Sequence, residues 1–317
     1  MIVDLAGEAL LGYQSSQVDP PGFDDFWNET LGEARAFDLD VTLTRVDSPI
    51  TSIQIFDLSF SGFAGERISA WLRMPLVVDA PLPAVVEFVG YGGGRGLAED
   101  SLFWASSGFV HLQMDTRGQG AGWSVGVTPD TGASGPRFPG MMTSGIQDKY
   151  GYYYRRLMTD AVRAVEAAHS LPQVDRSRIT SFGMSQGGGL ALAVAGLSPL
   201  VSSLMSFEPF LCDFPRAIMI TDNHPYKEIS SYLRTHRGED AAVLETLSFF
   251  DGVNFARRAT APAWFTTALM DAVCPPSTVV GAYNVYAGPK HLRVDTHNGH
   301  EHETDDDVLA ARILAQL

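Results

Sequence analysis

Residues 181–192 read SFGMSQGGGLAL, and this stretch constrains the chain more than any other. Ser185 lies between Gly183 and Gly187. A β-branched run, RITSF (178–182), comes before it, and a run of small apolar residues, GLALAVAGL (189–197), comes after. Strand, sharp turn and helix in that order force a serine into a strained backbone conformation and lift its Oγ above the end of a sheet. The flanking glycines let strand and helix approach without Cβ clashes. The helix N-terminus then offers free N–H groups and the positive end of its dipole to a developing anion. The bland alternative is a glycine-rich crossover that only packs helix on strand, with Ser185 as its N-cap. The Gly-x-Ser-x-Gly pattern does not decide between them in a chain with 31 glycines, because GWSVG (122–126) repeats it around Ser124. Context does: loop sequence flanks Ser124 on both sides, so Ser185 is the candidate nucleophile.

The rest of the chain supplies the sheet that such a turn needs. SIQIFDLSF (52–60) and RISAWLRM (67–74) alternate polar and apolar residues, as strands with one wet face do. PAVVEFV (83–89) and FVHLQMD (109–115) are more continuously apolar, as strands covered on both faces tend to be. Further strands are expected at 178–182, 201–207, 261–269 and 291–296. Apolar residues recur at helical spacing in YYYRRLMTDAVRAVEAAHSL (152–171), and a closing helix begins near residue 303. Strands alternating with helices imply an α/β chain with a mostly parallel central sheet and helices on both faces. No linker divides it, so a single domain over 1–317 is expected. Residues 1–50 would form an N-terminal extension with a helix at 20–36, and 213–258 a helical insertion beside the site.

Composition narrows the partners. With 45% hydrophobic and 19% charged residues, the chain can bury a sizeable core. Its net charge of −15 repels phosphate backbones and anionic lipids, which leaves a neutral or cationic small molecule as the expected partner. The first residues, MIVDLAGEALLGYQ, lack the basic start and apolar run of a signal peptide, and no run of 18 apolar residues occurs. The two cysteines, Cys212 and Cys274, sit in apolar surroundings and imply no disulfide framework. A cytoplasmic protein is therefore expected.

A serine hydroxyl is inert at neutral pH unless a base takes its proton as it attacks. In strand–turn–helix serine hydrolases the acid and then the histidine follow the serine along the chain. HNGHEHE (297–303) comes after a strand and before the last helix. His300, preceded by Gly299, is the candidate base, while His297 and His302 read as solvated neighbours. A metal site built from the three is the rival. Their spacing matches no i, i+4 helical pair and no second ligand cluster accompanies them, so neither metal nor cofactor is expected. Asp271, in TTALMDAVCPPS (266–277), lies just past an apolar strand, at the sheet edge where open α/β sheets bind ligands. It is the candidate acid, with a helix cap as its structural alternative and Asp251 as its competitor. EFVGYGGGRG (87–96) follows a strand, so the backbone N–H groups of Tyr91 and Gln186 are the expected oxyanion donors. A phosphate loop is the alternative there, but neither Gly-x-Gly-x-x-Gly opening a helix nor a Gly-Lys-Ser/Thr ending is present.

Several stretches together resemble carbohydrate esterase family 7, the acetyl xylan esterases and cephalosporin C deacetylases of the α/β-hydrolase superfamily. They are DTRGQGAGW (115–123), YYYRRLMTDAVRAVE (152–166), GMSQGGGLAL (183–192), PFLCDFPRAI (209–218), LMDAVCPPSTVVGAYN (269–284) and NGHEH (298–302), with GFDDFW (22–27) near the start. The resemblance implies an α/β-hydrolase fold, a triad of Ser185, Asp271 and His300, and oxyanion donors at Tyr91 and Gln186. It implies that Arg117, Gly118, Gln119 and Gly120 brace the site rather than react. The residues agree, since a buried Arg117 calls for a carboxylate partner. It further implies a cytoplasmic, cofactor-free homohexamer whose sites face an internal cavity, and hydrolysis through an acetyl-enzyme. The substrates would be small acetyl esters such as acetylated xylo-oligosaccharides or cephalosporin C. A general short-chain carboxylesterase, a peptidase of the prolyl-oligopeptidase type and a non-catalytic binding protein are the other readings. Met184, SFEPF (206–210) and the loop 122–140 depart from the family pattern. Phe210 and Pro225 are candidate acyl-pocket residues, with plain core packing as the alternative.

Overall fold

The computed structural model describes residues 1–132 and 140–317. The expected loop at 122–140 therefore lies partly outside the described residues. Among the described residues one sheet of nine strands organises the chain. In sequence order they are β1 (Thr42–Arg45), β2 (Ile53–Ser61), β3 (Arg67–Pro75), β4 (Leu82–Phe88), β5 (Val110–Met114), β6 (Val174–Met184), β7 (Ser203–Phe207), β8 (Ala263–Ala268) and β9 (Lys290–Asp295). Across the sheet the order is β1-β2-β3-β5-β4-β6-β7-β8-β9. β1, β2, β3 and β5 pair antiparallel in succession. The five pairings from β5 through β4, β6, β7 and β8 to β9 are parallel. This is the mostly parallel α/β-hydrolase sheet that the strand–helix alternation implies.

Sequence pattern and burial agree along these strands. β2 alternates buried and half-buried residues, while β5 and β7 are buried at every position. Such runs need helices on both faces, because a buried residue in a central strand has no wet side. The helix Tyr153–Ser170 buries almost its whole circumference, and so does Gln186–Leu197, which after Gln186 carries only glycines and apolar residues. That second helix begins three residues before the apolar run signals it. Gly187, Gly188 and Gly189 hide it, since glycine is a poor helix former. β1 is missing from the sequence reading for a different reason: all four of its residues are exposed on a sheet edge, so it has no burial pattern to display.

Residues 213–258 form four helices between β7 and β8: Phe214–Ile220, Tyr226–Thr235, Asp240–Ser248 and Gly252–Ala256. The N-terminal helix Phe23–Arg35 is fastened to them by aromatic packing. Phe23 meets Phe255 edge-on at 5.3 Å, Trp27 meets Phe250 at 5.6 Å, and the Trp27 indole N–H donates to the Phe249 carbonyl at 2.9 Å. Burying side chains of this size is worth roughly 1.5–3 kcal/mol each. Asp251, the competitor for the acid, is committed to structure here. Its buried carboxylate accepts the N–H groups of Val253, Asp213 and Phe214 at 2.8–2.9 Å, capping the helix Gly252–Ala256. Among the described residues no helix is long and apolar enough to cross a membrane.

Candidate active site

Strand order reverses between β4 and β6, so the loops leaving both strands open at the same edge of the sheet. Ser185 follows β6 with φ 58° and ψ −123°, a conformation that costs a non-glycine residue about 1–3 kcal/mol. Hydrogen bonds hold it there. Its N–H donates to the Phe207 carbonyl at 3.0 Å, and its carbonyl accepts from Gly189 at 3.0 Å and Phe210 at 2.9 Å. The flanking glycines are obligatory for steric reasons. A Cβ at Gly187 would fall on the Phe88 carbonyl, and one at Gly183 on the backbone of Gly187.

Two further segments converge on this turn. Asp271 lies three residues past β8 and is fully buried. Its Oδ1 accepts the N–H groups of Val273 and Cys274, each at 2.8 Å. His300 stands in the loop between β9 and the helix Thr304–Leu314. Its Nδ1–H donates to Asp271 Oδ2 at 2.8 Å, which leaves Nε2 to accept from the Ser185 hydroxyl at 2.9 Å. A carboxylate can only accept, so Asp271 fixes this tautomer. The donor atoms of Asp271, Cys274 and His300 lie within 4.8 Å of one another, close enough for a cation. Their chemistry fits a hydrogen-bonded triad better: both imidazole nitrogens and both Asp271 oxygens are engaged, and burial pushes the Cys274 thiol far up, keeping it neutral.

The loop after β4 is held by a polar net around Gln119, one of the residues the resemblance expects to brace the site. Gln119 Oε1 accepts the Gly92 N–H at 2.6 Å, and its Nε2 donates to Tyr153 Oη at 3.0 Å and to Gln186 Oε1 at 2.9 Å. Gln186 also receives the Tyr154 hydroxyl at 2.9 Å and donates to the Val89 carbonyl at 3.1 Å. The first residue of the serine's helix is thereby tied to both ends of the 89–92 loop. Behind it, Arg117 is fully buried and pairs with Asp160 at 2.5 Å and Glu66 at 2.5 Å. Arg117 and Gln119 both touch protein groups behind the site, and none of residues 117–120 lines the cavity.

The Tyr91 ring anchors the loop's tip. Its hydroxyl donates to Glu228 Oε1 at 2.8 Å and accepts the Met141 N–H at 2.7 Å. Burial pushes the Glu228 carboxyl up to about 7, against the lowering effect of its bonds to Tyr91 and the Met142 N–H. From the other side Trp123 donates its indole N–H to the Tyr91 carbonyl at 2.9 Å, and Ser124 Oγ donates to the Gly94 carbonyl at 2.9 Å. The second Gly-x-Ser-x-Gly segment is thus a brace for the loop.

A cavity of about 870 Å³ opens over these groups, and Ser185, His300, Tyr91, Met184 and Pro225 are among its lining residues. Phe210, expected in the acyl pocket, is not. It is fully buried behind Tyr91, edge-on to that ring at 6.3 Å and to Tyr226 at 4.3 Å. Its N–H donates to the Ser185 carbonyl at 2.9 Å. His302 stays exposed, as a solvated neighbour should; its ring sits 6.2 Å from Phe182 and 6.0 Å from Phe207, and its Nε2 meets Asp307 at 3.0 Å. Desolvation of the ring lowers its basicity, but Asp307 and Asp306 outweigh that and raise it. His297 stays exposed. The most notable omission is Glu208, whose buried carboxyl lies 3.8 Å from His300 Nδ1.

Comparisons with known proteins converge. The family model described as acetyl xylan esterase (AXE1) matches residues 1–311. The structure of an acetyl xylan esterase from Paenibacillus sp. R4 superposes with a TM-score of 0.93 at 38% identity, covering 98% of this chain and 99% of that one. Acetyl xylan esterase 1 from Thermoanaerobacterium sp. JW/SL YS485 gives a TM-score of 0.90 at 33% identity, covering 99% of both chains. The acetyl esterase Axe7A of Xylanibacter ruminicola is 30% identical over 302 residues; the match covers 93% of this chain but only 66% of that protein's length.

Proposed function

The chain belongs to the acetyl xylan esterase family, and from that premise we propose that it is a serine esterase that removes acetyl groups from small alcohols and sugars. The observation that supports this reading is the unbroken hydrogen-bond line from Asp271 through His300 to Ser185 at a cavity wall. Ser185 Oγ attacks the acetyl carbonyl carbon as His300 Nε2 takes its proton. The oxyanion of the tetrahedral intermediate is received by the backbone N–H groups of Tyr91 and Gln186. Gln186 is the first residue of its helix, so its N–H has no acceptor within that helix. The intermediate expels the alkoxide, which takes the proton from His300 and leaves an acetyl group on Ser185. Water then attacks that ester with His300 as base, releasing acetate and restoring the serine. Throughout, Asp271 holds the ring and stabilises its charged form.

The relatives' names point to acetylated xylan, and the family resemblance adds its small oligosaccharides and cephalosporin C as substrates. The assembly is read as a cytoplasmic homohexamer on the family resemblance, and light scattering checks the mass. The chemistry is tested by an acetate-release screen over acetylated xylo-oligosaccharides, cephalosporin C and p-nitrophenyl esters of increasing acyl length. The expected result is turnover of acetyl esters that falls as the acyl chain lengthens. Equal turnover of long acyl esters would make it a general carboxylesterase, and no release from any ester would reject the reading.

A further inference from the structure

Glu208 immediately follows β7, one strand away from the turn that carries Asp271. Its φ is 42°, a left-handed conformation that a glutamate rarely adopts, and its N–H is pinned to the Thr266 carbonyl at 3.0 Å and Thr266 Oγ1 at 3.2 Å. The side chain is buried. Its Oε2 has no hydrogen-bond partner among the described residues and points at His300 Nδ1 from 3.8 Å. Asp271 Oδ2 approaches the same nitrogen from the next strand at 2.8 Å. A buried carboxyl oxygen without a partner is costly, and the esterase mechanism above gives it no task.

We propose that Glu208 is a positioning residue for His300: a second carboxyl on Nδ1 that shares in orienting the ring and substitutes for Asp271 when that charge is lost. This rests on the esterase reading. Closing 3.8 Å to a hydrogen bond needs a movement of about 1 Å. The titratable and charged groups around Glu208 are Asp271 and Cys274 after β8, Asp295 and Arg293 on β9, Asp306 on the final helix, and His300 itself. Burial first, then the charges of Asp271, Asp306 and Asp295 against that of Arg293, push its carboxyl up to about 9. At neutral pH it is therefore protonated and leaves the negative charge to Asp271. Neutralising Asp271 removes the nearest like charge, so Glu208 then ionises at lower pH and offers its own carboxylate to Nδ1–H.

The test compares the full chain, Glu208→Gln, Asp271→Asn and the double variant, reading kcat for p-nitrophenyl acetate from pH 6 to 10. Where no second acid exists, losing the orienting aspartate costs roughly 10⁴-fold. Here Asp271→Asn should retain at least roughly tenfold more activity than the double variant, with a limb rising with pH that the double variant lacks. Glu208→Gln alone should remove an inflection near pH 9 from the parent profile. Thermal melts check folding, and Glu208→Leu, which buries no polar group, replaces a Gln variant that does not fold. Identical profiles for Asp271→Asn with and without Glu208 would overturn the proposal while leaving the esterase reading intact. An inactive parent enzyme would overturn the esterase reading itself.

Discussion

The chain writes Gly-x-Ser-x-Gly twice, and the two copies do opposite things. Around Ser185 the glycines are forced by backbone contacts, the serine is strained, and its hydroxyl is engaged by an imidazole. Around Ser124 the segment lies in a loop, and its hydroxyl is spent on the Gly94 carbonyl. Both serines line the same cavity, so proximity to substrate does not separate them. What separates them is whether strand and helix hold the hydroxyl free of backbone acceptors and within reach of a base. The second copy still matters. Ser124 and Trp123 buttress the loop whose Tyr91 N–H is proposed to receive the oxyanion.

Substitutions that exchange the two roles would break this contrast. Ser185→Ala is expected to lower acetate release by about 10⁶-fold with the fold retained, as measured by initial rates and circular dichroism. Turnover near the parent level would mean that another group attacks. Next in size is Gln119→Leu, which removes the ties to Gly92, Tyr153 and Gln186. A displaced oxyanion donor typically costs about 10²–10³-fold in kcat, so a drop of roughly 10² with a small change in KM is expected. A change confined to KM would place Gln119 in substrate binding instead.

Glu228 gives a pH signature for the anchor on Tyr91. Its folded value of about 7 exceeds the ordinary carboxylate value of 4.5, so folding favours the protonated form. That stabilisation is complete below pH 4.5 and is lost as pH rises through about 7. Melting curves should show the parent losing up to roughly 3 kcal/mol relative to Glu228→Gln across that window. Parallel curves for the two proteins would remove Glu228 from the account. The smallest effect is expected from Ser124→Ala, about 1 kcal/mol of stability and less than roughly threefold in turnover. A loss approaching that of Ser185→Ala would erase the distinction between the two segments.

Features set by short-range rules were legible in the sequence. The positions of Ser185, Asp271 and His300 follow from a glycine-bracketed turn, a residue just past an apolar strand and a glycine-preceded histidine before the last helix. Each can be read within about ten residues, and the structure brings all three into hydrogen-bond contact. Features that depend on distant partners were legible only in part: the resemblance implies that residues 117–120 brace the site, but not which groups they meet. Gln119 and Gln186 meet across 67 positions, and neither side chain carries a local mark of that bond. Glu208 looks like an ordinary exposed glutamate until the ends of β7 and β8 bury it. Phe210 takes the core-packing alternative, and the sequence leaves both open because an aromatic residue near a serine elbow has the same signature on either side of the cavity wall. β1 escaped because an exposed edge strand needs only backbone pairing with β2, and backbone pairing leaves no trace in four residues.

The central claim is that one of the two bracketed serines is a nucleophile and the other is not. Intact-mass analysis and peptide mapping after treatment with a fluorophosphonate test it most directly. The account predicts a single adduct, on Ser185, with Ser124 unmodified and ester turnover lost in step with labelling. An adduct on Ser124, or full turnover in protein labelled at Ser185, would contradict it.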